Sequence, residues 1–181
     1  MAYEPIIINI PDILRRCGLR PGQSVADLGS GREGRFALTA GKIVGDDGQV
    51  WAVDVIKDLL PGIANKATML GINNIKTVWS DLEIYGATKD IPDNSLDVAI
   101  LATILYQSKN HKQILKESLR MVKDGGKLVI VDWVPKETPI GPPLEIRVDP
   151  DTIKSLVQEF NLLELDDFPT GKMHYCQIYQ K

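Results

Sequence analysis

The sequence is poor in the residues that build metal centres and covalent cross-links. Among 181 residues there are only two cysteines and two histidines. Cys17 and Cys176 lie far apart with no CxxC pair, and His111 and His174 are equally scattered. Neither a zinc or other metal site nor a disulfide framework is expected, and a reducing cytoplasm is the default setting. Long apolar runs are also missing. Ile6-Ile7-Ile8 is broken by Asn9 and Pro11, so neither a membrane span nor a signal-peptide pattern is legible. Basic runs are absent as well: nowhere do five or six Lys or Arg stand together, and the formal charge is −3. That balance argues against a protein whose main business is coating nucleic acid.

What remains is a chain of 44% hydrophobic residues, long enough for one core and too short for two. We expect a single domain over 1–181, with an N-terminal segment and helix to residue 22 and an α/β core from 23. No internal repeat is visible. Pro11 to Cys17 reads as a short helix before Gly18 and the Arg20-Pro21-Gly22 turn. Five predicted strands follow, Gln23–Leu28, Val50–Val55, Ile75–Trp79, Ser95–Ala102 and Lys127–Trp133, with helical spacing over Gly34–Val44, Leu59–Leu70 and His111–Met121 between them. A proline-rich loop (Pro135–Pro143), a helix (Asp151–Phe160) and two closing strands (Leu162–Asp166 and Tyr175–Tyr179, split at Pro169-Thr170-Gly171) complete the chain. Strands alternating with helices predict a mostly parallel sheet wound on both sides, its last strand entering antiparallel.

In such sheets ligands bind beyond the carboxyl ends of the strands. The first strand delivers Asp27-Leu28-Gly29-Ser30-Gly31-Arg32-Glu33-Gly34 to that rim. Gly29, Gly31 and Gly34 form a GxGxxG, a weak signal shared with dinucleotide-binding enzymes. Asp27 sharpens it. A pyrophosphate would meet that carboxylate unfavourably, whereas S-adenosylmethionine brings an ammonium and a sulfonium. A unit pair at about 4 Å is worth roughly 1 kcal/mol in water and about 4 at an effective dielectric near 20. The second strand ends at Asp54-Val55, placed for ribose hydroxyls, and the third at Ser80-Asp81-Leu82, placed for the adenine amino group. Carbonyls near Leu101-Ala102 could hold the methionine ammonium. Asp97, at the start of its strand, belongs to the opposite edge and reads as structural.

Asp27-x-Gly29-x-Gly31, Asp54, Ser80-Asp81-Leu82, Ser95-Leu96-Asp97-Val98 and Val122-Lys123-Asp124-Gly125-Gly126-Lys127-Leu128 resemble, in order and spacing, the motifs of class I S-adenosylmethionine-dependent methyltransferases. The likeness runs from about Gly18 to Lys127 and is greatest to the compact branch that includes menaquinone- and arsenite-type enzymes. One departure is the third glycine, which the family usually has two residues after the second; Glu33 stands there and Gly34 follows. The resemblance implies a Rossmann-like, doubly wound sheet of seven strands with a reversed last strand. It also implies S-adenosylmethionine as cofactor and S-adenosylhomocysteine as product. The cofactor-binding candidates are Asp27, Gly29, Ser30, Gly31, Asp54, Val55, Asp81, Leu82 and Leu101.

Methyl transfer demands alignment first and a base only when the acceptor must lose a proton. Tyr106 is the candidate positioning group, with His111 or His174 as candidate bases; Arg147 and the proline loop are candidate roofing. A catechol-type metal site would want an acid after the fourth strand and an Asn beside Asp132, and the sequence has neither. The fourth strand ends Leu101-Ala102-Thr103-Ile104 rather than in an Asn-Pro-Pro-Tyr segment, which counts against base-nitrogen or glutamine methylation. Two remote cysteines count against arsenite chemistry. The expected acceptor is a small molecule, handled by a monomer or homodimer. The alternatives are a protein lysine as acceptor, a nicotinamide-dependent oxidoreductase, and a non-catalytic cofactor-binding protein acting through a partner, with Ile6–Ile8 and the proline loop as its contacts.

Overall fold

The structure is a computed structural model and describes residues 8–181; Ile6 and Ile7 lie outside that range. Asn9 caps a short helix, α1 (Ile10–Arg16), by accepting the Asp12 N–H, and Pro11 fits its first turn. The core then alternates β1 (Ser24–Leu28), α2 (Arg35–Val44), β2 (Gln49–Asp54), α3 (Leu60–Met69), β3 (Ile75–Trp79), β4 (Leu96–Ala102), α4 (His111–Met121) and β5 (Val122–Trp133). The chain ends with α5 (Pro150–Gln158), β6 (Leu163–Thr170) and β7 (His174–Gln180).

The seven strands are ordered β3-β2-β1-β4-β5-β7-β6, with β7 antiparallel to both neighbours and the other pairings parallel. The sequence-based architecture is thus observed. The reversed strand inserted between β5 and β6 departs from the all-parallel 3-2-1-4-5-6 order of dinucleotide-binding folds. Central strand β4 and the second half of β5 are buried on both faces and read as near-continuous apolar runs for that reason. One face packs α1, α2 and α3 through Ile13, Leu14, Phe36, Ala40 and Ile63. The other packs α4 and α5 through Leu115, Leu119, Met121, Ile153 and Val157.

Two boundaries differ from the sequence reading. β5 begins at Val122, because Val122 already pairs with Leu96 before a register shift, and Gly125 (φ 76°) turns the chain inside the strand. β6 runs on through Pro169 and Thr170, so the closing turn falls at residues 171–173. β6 is an edge strand, where a proline forfeits no ladder bond.

Candidate active site

The carboxyl ends of β1, β2, β3 and β4 converge on a cleft of about 510 Å³. Its floor is the β1–α2 turn. Gly29 (φ 86°) leaves the strand in a conformation that disfavours side chains, and a Cβ there would lie 2.4 Å from Ile104 Cγ2. Gly31 (φ 62°) shares the positive φ but would place a Cβ in open space. Its backbone is therefore free to approach a ligand closely. The Gly29 and Ser30 N–H groups donate to Val53 O (2.8 and 2.9 Å), tying the turn to β2. Ser30 lines the cleft, and its hydroxyl is buried without a hydrogen-bond partner among the described residues.

Three carboxylates stand along this rim, none of them in an ion pair among the described residues. Asp54 Oδ2 accepts the Gly31 N–H (2.8 Å) and Oδ1 the Ile56 N–H (2.9 Å). Asp81 accepts from the Glu83 N–H (2.9 Å). Asp27 accepts the Ala37 N–H of α2 (2.9 Å). Burial pushes the Asp27 carboxyl up to about 7; the Ala37 N–H opposes that rise and the nearby Asp54 charge adds to it. Backbone amides thus hold the three groups in place without neutralising them. Exposed Arg32 and Arg35 stand at the mouth.

Of the sequence-predicted cofactor residues, Asp27, Gly29, Ser30, Gly31, Asp54, Val55, Asp81 and Leu82 all line the cleft. Leu101 does not: its side chain is fully buried in the core beneath, and Ala102 and Thr103 take the rim position. The candidate acid–base residues lie elsewhere, and apart from one another. Tyr106 packs half-buried against the core while its N–H donates to Asp132 (3.3 Å). His111 opens α4 with Nε2 2.9 Å from Leu105 O. His174 stacks on Trp133, with ring centroids 4.2 Å apart, and burial plus the Arg147 charge lower its pKa to about 4. None of the three lines the cleft. The proline loop does not roof it either. That loop lies against Trp133, where a Cβ on Gly141 would come within 2.6 Å of the ring, and Arg147 pins it by donating to Pro142 O, Val134 O and Lys136 O.

Sequence reasoning missed the turn after β4. Thr103 has φ 55°, a strained value for a β-branched residue. Its N–H donates to Val131 O (2.7 Å), and the Gln107 amide donates to its carbonyl (2.9 Å). Buried Asp132 accepts the Leu105 and Tyr106 N–H groups (3.1 and 3.3 Å) and so braces the following residues. Left-handed threonine has no sequence signature, so only the position after β4 pointed there. Ile8, Ile10, Phe36 and Ile104 add an aliphatic and aromatic wall.

Comparison with known proteins bears on this site. A family model described as a methyltransferase domain matches residues 19–170. The ubiquinone/menaquinone biosynthesis C-methyltransferase UbiE of Shewanella pealeana is 31% identical over 121 residues, 66% of this chain and 46% of that protein. The chain thus spans about half the length of the curated relatives it matches. Among solved structures, a SAM-dependent methyltransferase from Aquifex aeolicus superposes with a TM-score of 0.85 at 24% identity, covering 95% of this chain and 89% of that one. An arsenic(III) S-adenosylmethionine methyltransferase from Chlamydomonas reinhardtii gives 0.67 at 20% identity, over 99% and 66%.

Proposed function

Since the chain belongs to the methyltransferase-domain family, we propose that it is an S-adenosylmethionine-dependent enzyme that methylates a small molecule and releases S-adenosylhomocysteine. The observation that carries this reading is the row of Asp27, Asp54 and Asp81, three cleft-lining carboxylates held by backbone N–H groups and left without cationic partners among the described residues. A cofactor bearing an ammonium and a sulfonium supplies the missing positive charge. The unpartnered Ser30 hydroxyl and the open approach to the Gly31 backbone fit the same occupant.

The cofactor, when bound, supplies a methyl group already activated by the sulfonium. The protein's part is to hold and align. Asp54 retains lone pairs for the ribose hydroxyls, and Asp81 with the Leu82 backbone answers the adenine edge. Val55 and Leu82 supply apolar surface to the base. Ala102 and Thr103, in place of Leu101, offer carbonyls to the ammonium. Asp27 adds charge from beneath, and Arg32 or Arg35 answers the carboxylate. The acceptor rests against Ile8, Ile10, Phe36 and Ile104, whose apolar character favours a small organic molecule over a lysine side chain. Tyr106 and His111 act as positioning residues through the turn they brace. Alignment of nucleophile, methyl and sulfur can lower the barrier by roughly 7–11 kcal/mol, so a cleft without histidine is chemically sufficient. Among the described residues no helix is long and apolar enough to cross a membrane. The free, buried Cys17 and Cys176 accord with work in a reducing compartment such as the cytoplasm.

The test is calorimetric titration with S-adenosylmethionine and with NADH, followed by S-adenosylhomocysteine release across a panel of quinols, phenols and other small acceptors. Binding of the first ligand alone, with turnover on at least one acceptor that Asp54→Ala abolishes, is expected. Binding of NADH alone, or silence across the panel despite tight binding of S-adenosylmethionine, contradicts the proposal.

A further inference from the structure

A second hollow, also of about 510 Å³, opens beyond β5 and shares no wall residue with the cleft. It lies at the rim where β5 ends, since Trp133 pairs with His174 and His174 in turn with Thr170 across the antiparallel strands. His174 and Thr170 therefore sit side by side in its floor. Asn9 crosses above, donating its N–H to Thr170 Oγ1 (3.2 Å).

The charges around it are unbalanced. Lys136 and Lys172 line the hollow, and neither forms an ion pair among the described residues, although four other lysines do. The one carboxylate in the wall, Asp12, is already shared by Arg15 (2.6 Å) and Arg16 (2.9 Å). His174 is 5% exposed, and its Nδ1 has no hydrogen-bond partner among the described residues. The hollow is thus lined by two lysines free of ion pairs among the described residues, a hydroxyl-bearing threonine and a buried histidine, and its one carboxylate is already paired.

We propose that this hollow is a binding site for a small oxyanion, a phosphate or carboxylate group held between Lys136 and Lys172 over the His174 ring. Charge-assisted hydrogen bonds from ammonium groups are the strong ones, and a desolvated neutral imidazole can donate a further N–H. The position, outside the carboxyl end of a sheet strand, is where this class of fold receives ligands. One short segment walls both cavities. Ile8 and Ile10 line the cleft and Asn9 the hollow, so the oxyanion lies a single chain's thickness from the cleft.

The two histidines make the test direct. Ring C–H signals of His174 and His111 are followed by NMR at neutral pH during titration with inorganic phosphate, with acetate, and with chloride at matched ionic strength. Saturable movement of the His174 signals with phosphate or acetate is expected, His111 staying fixed, and the tighter of the two identifies the oxyanion. A K136Q/K172Q variant with wild-type melting and S-adenosylmethionine binding is expected to bind that anion at least about tenfold more weakly. His174 signals that move no more with either oxyanion than with chloride, or a double variant that saturates like the wild type, overturn the proposal.

Discussion

The two edges of the sheet treat their aspartates differently. At the amino-end edge, Asp97 receives the Ser24 N–H (2.9 Å) and an ion pair from Lys123 (2.5 Å). Its partial burial would raise the carboxyl, but Lys123 and the Ser24 amide outweigh that and hold it below its ordinary range. At the carboxyl-end edge, Asp27, Asp54 and Asp81 receive only backbone amides, and burial drives Asp27 upward. The same side chain on the same sheet is thus neutralised at one edge and kept short of positive charge at the other. A carboxylate stripped of water without a counter-ion costs stability. That cost is explained where a cationic ligand completes the site.

The comparison can be broken by substitution. Asp54→Ala should have the largest effect. It removes two charge-assisted bonds within the protein and the proposed ribose acceptor, so cofactor affinity should fall by about 100-fold or more by calorimetry. A change under about threefold would mean that Asp54 is structural like Asp97. Next come the two glycines of the β1–α2 turn. Gly29→Ala meets both a positive φ and the Ile104 contact, and should cost about 2–3 kcal/mol in denaturant unfolding. Gly31→Ala meets only the φ and should cost about 1 kcal/mol, while weakening cofactor binding more than that stability loss accounts for.

The pH dependence sharpens the contrast. The folded-state value for Asp27, about 7, lies above its unfolded value, so its contribution to stability is greatest in acid. That contribution should decline by on the order of a few kcal/mol as pH rises from about 4 to 7. A bound cation favours the charged form. S-adenosylmethionine binding should therefore release a proton below pH 7, and affinity should climb with pH by up to about tenfold per unit. Asp27→Asn should flatten that profile; a wild-type profile already flat between pH 5 and 7 would contradict it. The smallest effect belongs to the far edge. Lys123→Gln, at a half-exposed pair, should alter stability by less than about 1 kcal/mol and leave cofactor affinity unchanged.

The strands and the acidic rim at their carboxyl ends were legible in the sequence because both follow from local pattern, whereas the order of the strands in the sheet does not. Apolar runs marked the doubly buried strands, and Asp27, Asp54 and Asp81 sat where those runs ended. The residues that finish the site were hidden for a different reason. Nothing in Leu101-Ala102-Thr103 reveals that the rim position is reached only after the backbone enters a left-handed conformation at Thr103. Tyr106 and His111 follow β4 closely in the chain, yet only the Tyr106 backbone N–H reaches Asp132, and the His111 ring is held at the Leu105 carbonyl. His174 lies at the expected rim but on the far side of β5, next to Thr170, a neighbour created by the strand reversal.

A crystal structure with S-adenosylhomocysteine is the most direct test that the unpaired rim carboxylates form the cofactor site. The ribose hydroxyls should lie within hydrogen-bond distance of Asp54, the adenine beside Asp81-Leu82, and the amino group at the Ala102-Thr103 carbonyls. Density for the ligand elsewhere, or Asp54 turned to a lysine or arginine of the protein itself, would contradict the account.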